Sequence, residues 1–328
     1  MYNIAMFGAG RIGKIHAANI HAHPKCRVAA VVDPFEYAAN ALATSVDAIV
    51  GTVEGVMTDE NIHVVFICSA TDTHAELIEL ASKHGKAIFC EKPIDLSLDR
   101  VNRCLEIVSS HGALLMVGFN RRFDPNISAM REHYESGVIG KAESLTIISR
   151  DPSPPPVSYV EVSGGMFRDM TIHDFDMARF MMGEDVVSVS AHGGNLIDAE
   201  IGEAGDVDTA VVVLEFASGA LVTIINSRRS GYGYDQRLEF HGSKGLLRVN
   251  NVKESELDMF SADSCESSLP MHFFLERYKE AYRIELQHFV DVLDGNADLT
   301  CTGEDGKKAL ELAEAALLSM STNKKVSL

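Results

Sequence analysis

Short apolar runs alternate with helix-like segments through the first 120 residues. The runs consist mainly of Val, Ile, Phe, Ala and Met, and they predict five strands, at 3–8, 27–32, 63–69, 87–90 and 113–118. Helices are predicted between them, at 15–21, 74–84 and 98–111. Uninterrupted apolar strands that alternate with helices are typical of a parallel sheet with both faces covered. The first 120 residues are therefore predicted to form one α/β domain.

Beyond residue 120 the segments become longer, and apolar and polar residues alternate within them. Six strands are predicted, at 141–150, 186–192, 208–216, 220–227, 236–241 and 245–250. Four helices are predicted, at 125–136, 169–182, 274–293 and 303–319. This alternation indicates a sheet with one buried face, which the helices can cover. We predict an α/β protein: a parallel-sheet domain at 1–120, then an α+β domain at 121–328 with a large open, mainly antiparallel sheet.

The charge balance argues against several classes of partner. The chain of 328 residues carries 29 Lys and Arg against 47 Asp and Glu, a formal net charge of −18 at pH 7. Such a surface repels phosphodiester backbones and anionic lipid, so we expect neither nucleic acid nor a membrane as a partner. We also expect no export signal, and hence the cytoplasm. The six cysteines are scattered singly, so we expect reduced thiols and no structural zinc.

A glycine motif, GAGRIG at 8–13, follows the first predicted strand and opens the first predicted helix. Gly8 allows the tight turn, Gly10 lets the backbone approach a pyrophosphate, and Gly13 lets the helix pack on the sheet. Asp33 ends the next strand, where its carboxylate can bind a ribose and repels a 2′-phosphate. The motif therefore predicts a dinucleotide-binding domain that prefers NAD to NADP. A glycine turn that serves packing alone is the weaker alternative.

A lysine stands where such a domain would bind its ligands. Glu91-Lys92-Pro93 lies at the carboxyl end of the fourth predicted strand, the edge that faces the ligand crevice in an open parallel sheet. Pro93 restricts the backbone of Lys92 to an extended conformation, from which the ammonium can point into the crevice. A solvated lysine paired with Glu91 is an equally good interpretation.

The predicted helix at 169–182 carries a polar stripe. Asp169, His173 and Asp176 are spaced i, i+4, i+7 and share one face. A histidine beside a carboxylate can be held in one tautomer and can act as a general base near neutral pH. Two alternatives stay open: a stripe that is simply solvated, and a metal site formed by the same three side chains.

Several long motifs occur in order along the chain. They are GAGRIGKIHA at 8–17, EKP at 91–93, GFNRRFD at 118–124, SRDPSPPP at 149–156, SGGMFRDMTIHDFDMAR at 163–179 and GYGYDQR at 231–237. In these motifs the chain resembles the family of glucose-fructose oxidoreductases and inositol dehydrogenases, from residue 3 to about residue 320. The last three motifs are most similar to those of inositol 2-dehydrogenases.

The resemblance implies NAD-dependent oxidation of myo-inositol to the 2-keto compound. It implies that Lys92 contacts the reacting hydroxyl, that His173 accepts the proton and that Asp169 partners His173. The residues expected to bind the cofactor are Gly8, Gly10, Arg11, Ile12, Gly13, Asp33, Ser69, Thr71, His74, Glu91 and Lys92. Those expected to bind the polyol are Lys92, Asn120, Arg122, Asp169, His173, Asp176 and one of Tyr232 and Tyr234.

The resemblance also implies a homo-oligomer, most often a tetramer, formed through the open sheet of the substrate-binding domain. Other functions stay open. One is the same chemistry on scyllo-inositol or a sugar, with NAD or NADP. Another is an NAD-binding sensor or assembly module without turnover, and a metal-dependent hydrolase is a weaker third possibility.

Overall fold

The computed structural model describes residues 1–328, which divide into two compact units. Unit 1 contains Met1–Asn120 and Tyr282–Leu310, and unit 2 contains Arg121–Ala281 and Glu311–Leu328. The predicted boundary at residue 120 differs from this division in one respect, because Tyr282–Leu310 belongs to the first unit. Helical periodicity shows that a segment has an apolar face, but it does not show which sheet that face covers.

Unit 1 is built on a parallel sheet. Its strands are β1 (Tyr2–Phe7), β2 (Cys26–Val32), β3 (Ile49–Val50), β4 (Val64–Ile67), β5 (Ala87–Glu91) and β6 (Leu115–Gly118). The helices between them are α1 (Arg11–Ala22), α2 (Glu36–Ser45), α3 (Val53–Thr58), α4 (His74–Lys83) and α5 (Leu98–Ser110). The strand order is β3-β2-β1-β4-β5-β6, so the order reverses between β1 and β4. Open α/β sheets bind ligands at such a reversal, outside the carboxyl ends of the strands.

The strands of this sheet are apolar because both faces are covered. All residues of β4 and β6 are buried, as are the last four residues of β1. The five predicted strands are confirmed, with small differences at their ends. The sequence pattern missed β3, which has only two residues, both exposed.

Unit 2 is built on a larger, mixed sheet. Its strands are β7 (Ala142–Arg150), β8 (Val186–Gly194), β9 (Thr209–Phe216), β10 (Leu221–Ser227), β11 (Asp235–Gly242) and β12 (Gly245–Val249). A hairpin of β13 (Asp258–Phe260) and β14 (Cys265–Ser267) stands apart, and β15 (Val326–Ser327) completes the main sheet. The order is β12-β11-β7-β10-β9-β8-β15, and only β7 and β10 pair in parallel. The predicted fold class is confirmed.

The helices of unit 2 are α6 (Pro125–Glu135), α7 (Val157–Ser163), α8 (Ile172–Met182), α9 (Ala199–Glu203) and α10 (Phe274–Arg277). The division between the units falls within α11 (Lys279–Leu293) and within α12 (Gly303–Thr322). The helix predicted at 274–293 is interrupted at Tyr278, which separates α10 from α11. None of the helices combines the length and the apolar character that crossing a bilayer would need.

One face of the mixed sheet carries accessible apolar side chains. Along β9, Val212 and Leu214 are fully buried, whereas Val211 is 39% and Val213 is 38% exposed. Leu221 of the neighbouring strand β10 is also exposed. This alternation is the pattern of a sheet that packs on a core with one face and leaves the other face open.

Candidate active site

The glycine loop connects β1 to α1 at the carboxyl edge of the sheet. Gly8 has a φ of +98°, and a Cβ atom there would lie 2.4 Å from the carbonyl oxygen of Cys68. At Gly13 a Cβ would lie 2.1 Å from the carbonyl oxygen of Gly8. These two positions require glycine for the turn itself. At Gly10 a Cβ would meet nothing within 4 Å, so open space lies beside this backbone.

The residues present fit a dinucleotide. Gly10 is the N-cap residue of α1 and has no side chain that could accept a hydrogen bond from the first amides of the helix. These amides can therefore bind a pyrophosphate. The carboxylate of Asp33 accepts a hydrogen bond from the Ala9 amide at 2.7 Å and another from the Phe35 amide at 2.8 Å. These bonds hold Asp33 beside the glycine loop, where a ribose-binding carboxylate is needed.

The buried side chain of His74 connects the loops that follow β4 and β5. Its Nδ1 lies 2.8 Å from the carbonyl oxygen of Pro93, and its Nε2 lies 3.1 Å from that of Ser69. The hydroxyls of Ser69 and Thr73 lie 2.6 Å apart. Thr71 begins the 3₁₀ turn after β4 and is partly exposed. His74 thus fixes the backbone of both loops, whereas Thr71 is accessible.

Lys92 follows β5 directly, and the peptide bond from Lys92 to Pro93 is cis. The preceding Glu91 lies 2.7 Å from Nε2 of the buried His16. Glu285 is also fully buried, and neither of its carboxyl oxygens has a hydrogen-bond partner. Burial, together with the charge of Glu91, raises the pKa of Glu285 well above the usual range of a glutamic acid. Its surroundings therefore favour the neutral, protonated form of Glu285.

Asn120, Arg121 and Arg122 lie in a short 3₁₀ turn after β6, and all three are buried. Arg122 binds Asp176 through two hydrogen bonds, from Nε to Oδ2 at 2.9 Å and from Nη2 to Oδ1 at 2.5 Å. Arg121 donates to Oδ1 of Asp174 at 2.6 Å. Arg122 and Asp176, two of the predicted substrate-binding residues, therefore form a buried pair with each other.

The three residues of the predicted polar stripe lie in two elements, a π turn and helix α8. Helix α8 begins at Ile172, and Asp169 lies before it in a π turn in which the Thr171 amide donates to the Met166 carbonyl at 2.9 Å. Asp169 and His173 are partly exposed, whereas Asp176 is fully buried. The predicted helix start at Asp169 is wrong because a pattern of 3.6 residues does not distinguish such a turn from a regular one. No group of His, Cys, Asp or Glu is placed to hold a metal ion.

Three further residues near Asp169 were missed by sequence reasoning. The hydroxyl of Tyr159 donates to Oδ1 of Asp169 at 3.0 Å. Arg228, which is 1% exposed, places Nη1 3.9 Å from Oδ2 of Asp169. Burial raises the pKa of Asp151 to about 6, and the charge of Arg228 opposes that rise. A signal for Arg228 exists in the sequence: a charged residue follows directly on the apolar strand β10.

The two candidate tyrosines lie in different environments. Tyr232 is 40% exposed; its hydroxyl donates to Asp235 at 2.5 Å and accepts a hydrogen bond from Arg150 at 2.9 Å. Tyr234 is 6% exposed, and its hydroxyl lies 3.5 Å from Nη2 of Arg121. Burial raises the pKa of Tyr234 well above the usual value for a tyrosine. Tyr232 is therefore the accessible member of the pair.

Both parts of the chain match models of known families. Residues 2–119 match the oxidoreductase family with an NAD-binding Rossmann fold, and residues 127–248 match the GFO/IDH/MocA C-terminal domain. An inositol 2-dehydrogenase from Rhizobium meliloti is 49% identical to the chain over 324 residues, which cover 98% of each protein. The chain belongs to the GFO/IDH/MocA oxidoreductase family.

Other members of the GFO/IDH/MocA family are similar over their full length. A myo-inositol 2-dehydrogenase from Thermotoga maritima is 45% identical over 327 residues, covering 99% of this chain and 98% of that protein. A myo-inositol dehydrogenase structure from Corynebacterium glutamicum has a TM-score of 0.95 at 44% identity, covering 100% of this chain and 99% of that one.

The structure of scyllo-inositol dehydrogenase from Lactobacillus casei contains bound NAD(H) and scyllo-inositol. It has a TM-score of 0.92 at 27% identity and covers 100% of this chain and 99% of that one. The predicted family, the Rossmann domain and the assignment as an NAD-binding oxidoreductase are confirmed.

Proposed function

We propose that this protein oxidises myo-inositol to the 2-keto inositol and transfers the hydride to NAD. The observation that carries the proposal is similarity over 98% or more of the chain, at 49% and 45% identity, to two proteins named as inositol 2-dehydrogenases. The motif residues Lys92, Asp169 and His173 support it, because together they supply the groups that oxidation of an alcohol requires.

The chemistry requires a base and a cation at one oxygen atom. Oxidation of a secondary alcohol removes the hydroxyl proton while a hydride leaves the carbon, and bound NAD accepts that hydride. His173 takes the proton, and Asp169 stabilises the resulting imidazolium. The ammonium of Lys92 stabilises the negative charge that develops on the oxygen before the carbonyl forms. The products are the ketone, NADH and a proton held by His173.

Unit 1 provides the cofactor-binding residues in this proposal. The loop at 8–13 and the start of α1 bind the pyrophosphate, with Arg11 and Ile12 in the first turn of the helix. Asp33 binds the ribose, and no Lys or Arg occurs at 34–37 to bind a 2′-phosphate. Thr71 contacts the cofactor from the loop after β4, while Ser69, His74 and Glu91 hold the loops in place. NAD is therefore the proposed cofactor, rather than NADP.

Hydroxyl-binding groups complete the proposed substrate site. Tyr232 is proposed as the tyrosine that reaches the polyol, because its ring is accessible. The buried Arg122–Asp176 pair fixes the turn after β6 to α8, and the buried Asn120 lies in the same turn. The second candidate substrate is scyllo-inositol, because a scyllo-inositol 2-dehydrogenase (NAD+) from Bacillus subtilis is 34% identical over 327 residues.

A homo-oligomer, as a tetramer, is part of the proposal. The open face of the mixed sheet exposes Val211, Val213 and Leu221, and exposed apolar side chains on an open sheet face are suited to contact a second copy of the chain. The cytoplasm is the proposed location, because the six cysteines are scattered singly along the sequence and thiols persist in a reducing compartment.

A substrate panel tests the proposed activity. Myo-inositol, scyllo-inositol and D-glucose are each offered with NAD and with NADP, and reduced cofactor is followed by its absorbance. We expect the highest kcat/KM with myo-inositol and NAD. A higher kcat/KM with scyllo-inositol would favour the second candidate. If no polyol or sugar yields NADH although the protein binds NAD, the proposed oxidation is wrong and a binding role without turnover replaces it.

A further inference from the structure

A buried framework fixes the π turn that carries Asp169. The Met166 amide, at the start of this turn, lies 2.9 Å from both carboxylate oxygens of Asp206. The preceding Gly165 has a φ of +79°, and a Cβ there would lie 2.7 Å from Oδ1 of Asp206. Only glycine therefore lets Asp206 approach the turn so closely. Asp206 fixes the beginning of the turn, three residues before Asp169.

Arg228 links Asp206 to Asp169. Its Nη2 lies 3.4 Å from Oδ2 of Asp206, and its Nη1 lies 3.9 Å from Oδ2 of Asp169. Its own amide donates to the carbonyl of Asp208 at 2.8 Å, which fixes the backbone from which the guanidinium extends. Nε of this buried side chain has no hydrogen-bond partner.

Stability alone does not account for this arrangement. Burial of a guanidinium is unfavourable unless short, well-aligned contacts with a carboxylate offset the loss of hydration. Arg228 has no such contact: one carboxylate lies 3.4 Å away and the other 3.9 Å away. By contrast, Arg122 in the same unit binds Asp176 at 2.9 and 2.5 Å. Arg228 is instead placed between two carboxylates, where its charge acts on both.

Other charged and titratable groups surround this pair. Asp151 interacts with the charges of both Arg228 and Asp169, and burial raises its pKa to about 6. Tyr159 donates a hydrogen bond to Asp169 and carries no charge at neutral pH. The second cation nearby, Arg121, is bound to Asp174 at 2.6 Å. Arg228 is thus a buried cation whose guanidinium lies between Asp206 and Asp169.

We propose that Arg228 and Asp206 are a pair of positioning residues that orient Asp169 and, through it, set the pH at which His173 accepts a proton. The proposal rests on the proposed function of Asp169 and His173. A cation near this site disfavours the imidazolium and lowers the pKa of the base, whereas an anion raises that pKa. Asp206 partly neutralises Arg228, so the two residues act in opposite directions on the pH profile.

Two variants test these opposite effects. Arg228→Met removes the cation and keeps much of the volume. We expect kcat/KM at pH 7 to fall about tenfold. We also expect the apparent pKa of the acidic limb of the kcat/KM profile to rise by about one unit, so that activity recovers at higher pH. Asp206→Asn keeps an acceptor for the Met166 amide but removes the negative charge. We expect the acidic limb of this variant to shift to lower pH.

The controls separate electrostatics from folding. Arg228→Lys keeps the charge and is expected to restore most of the wild-type profile. Arg229→Met changes the exposed neighbouring arginine and is expected to leave the profile unchanged. NAD affinity, measured by isothermal titration calorimetry, is expected to stay within about twofold of the wild-type value in every variant, because the changes lie outside the NAD-binding unit.

Opposite shifts of the acidic limb support the proposal. Activity losses that are equal at every pH, or limbs that stay in place, overturn it, since a purely structural role predicts those results. If Arg228→Met does not fold, Asp206→Asn decides: a shift of its acidic limb to lower pH supports the proposal, and no shift or a shift to higher pH overturns it. His173→Ala, measured in parallel, tests the proposed function separately. If His173→Ala is active, the assignment of His173 as the base is wrong. If His173→Ala is inactive and the pH profile of Arg228→Met is the same as that of the wild type, only the positioning role is wrong.

Discussion

The glycine loop of unit 1 and the charged group around Asp169 in unit 2 are built in different ways. The loop takes its shape from residues 8–13, where Gly8 and Gly13 permit approaches that a Cβ would block. The charged group around Asp169 consists of Asp151, Asp206 and Arg228, which are far apart in the sequence. The first site therefore depends on local backbone conformation, whereas the second depends on the tertiary structure of unit 2.

Particular buried acids of the two units also differ in whether a cation binds them. In unit 2 the buried carboxylates of Asp174 and Asp176 are each bound by an arginine, Arg121 and Arg122 respectively. In unit 1 the buried Glu285 has no hydrogen-bond partner. Paired charges are stabilised in their ionised forms, whereas an isolated buried acid keeps its proton. Substitutions in each unit can test both differences.

The largest effect is expected from breaking a buried ion pair in unit 2. Arg122→Met leaves the carboxylate of Asp176 buried without its guanidinium, which is expected to lower the free energy of unfolding by about 3 to 5 kcal/mol. Urea unfolding followed by circular dichroism measures this change. Adding Asp176→Asn to the same chain removes the uncompensated charge and is expected to recover much of the loss. An unchanged urea midpoint in the single variant would show that the pair has no structural importance.

The next effect concerns the proposed reaction. His173→Ala and Lys92→Ala are each expected to lower kcat about a hundredfold or more, because one removes the base and the other removes the cation at the reacting oxygen. Steady-state kinetics with myo-inositol and NAD provide the measurement. His192→Ala, on an exposed part of β8, is the matched control and is expected to be fully active. Wild-type turnover in His173→Ala would refute the assignment of the base.

A smaller effect is expected in the glycine loop. Gly10→Ala adds a Cβ where nothing lies within 4 Å, so the fold and its stability are expected to be unchanged. The added methyl group occupies the space proposed for the pyrophosphate, and the Kd for NAD is expected to rise about tenfold. Gly194→Ala, where a Cβ is also unopposed, is the control for glycine substitution as such. An unchanged Kd for NAD in Gly10→Ala would place the cofactor elsewhere.

The parts of the molecule that could be predicted from sequence are those with local physical causes. The apolar runs identified the strands of unit 1 because both faces of that sheet are covered. The glycine loop was recognisable because its order relative to strand and helix is fixed by the backbone. Strand β3 could not be predicted, because two exposed residues produce no periodic pattern of apolar and polar positions.

Features that depend on long-range contacts could not be predicted. The assignment of Tyr282–Leu310 to unit 1 requires knowledge of which sheet the helices cover. The π turn at Met166–Met170 is stabilised by Asp206, forty residues away from Met166 in the sequence. Arg228 lies outside the motifs that carry the family resemblance, so only the folded structure connects it to Asp169.

The smallest effect is expected at Glu285, which contrasts with the paired acids of unit 2. Burial and the charge of Glu91 raise its pKa, so the folded protein keeps a proton that the unfolded chain loses above about pH 4 to 5. Stability is therefore lost progressively as the pH rises through and beyond that range. Glu285→Gln keeps the shape without an ionisable group and is expected to raise Tm at pH 8 by about 2 to 4 °C, a gain that disappears near pH 4. Glu106→Gln, at an exposed position on α5, is expected to leave Tm unchanged at both pH values. A Tm difference at Glu285 that does not vary with pH would mean that this acid is ionised in the folded protein.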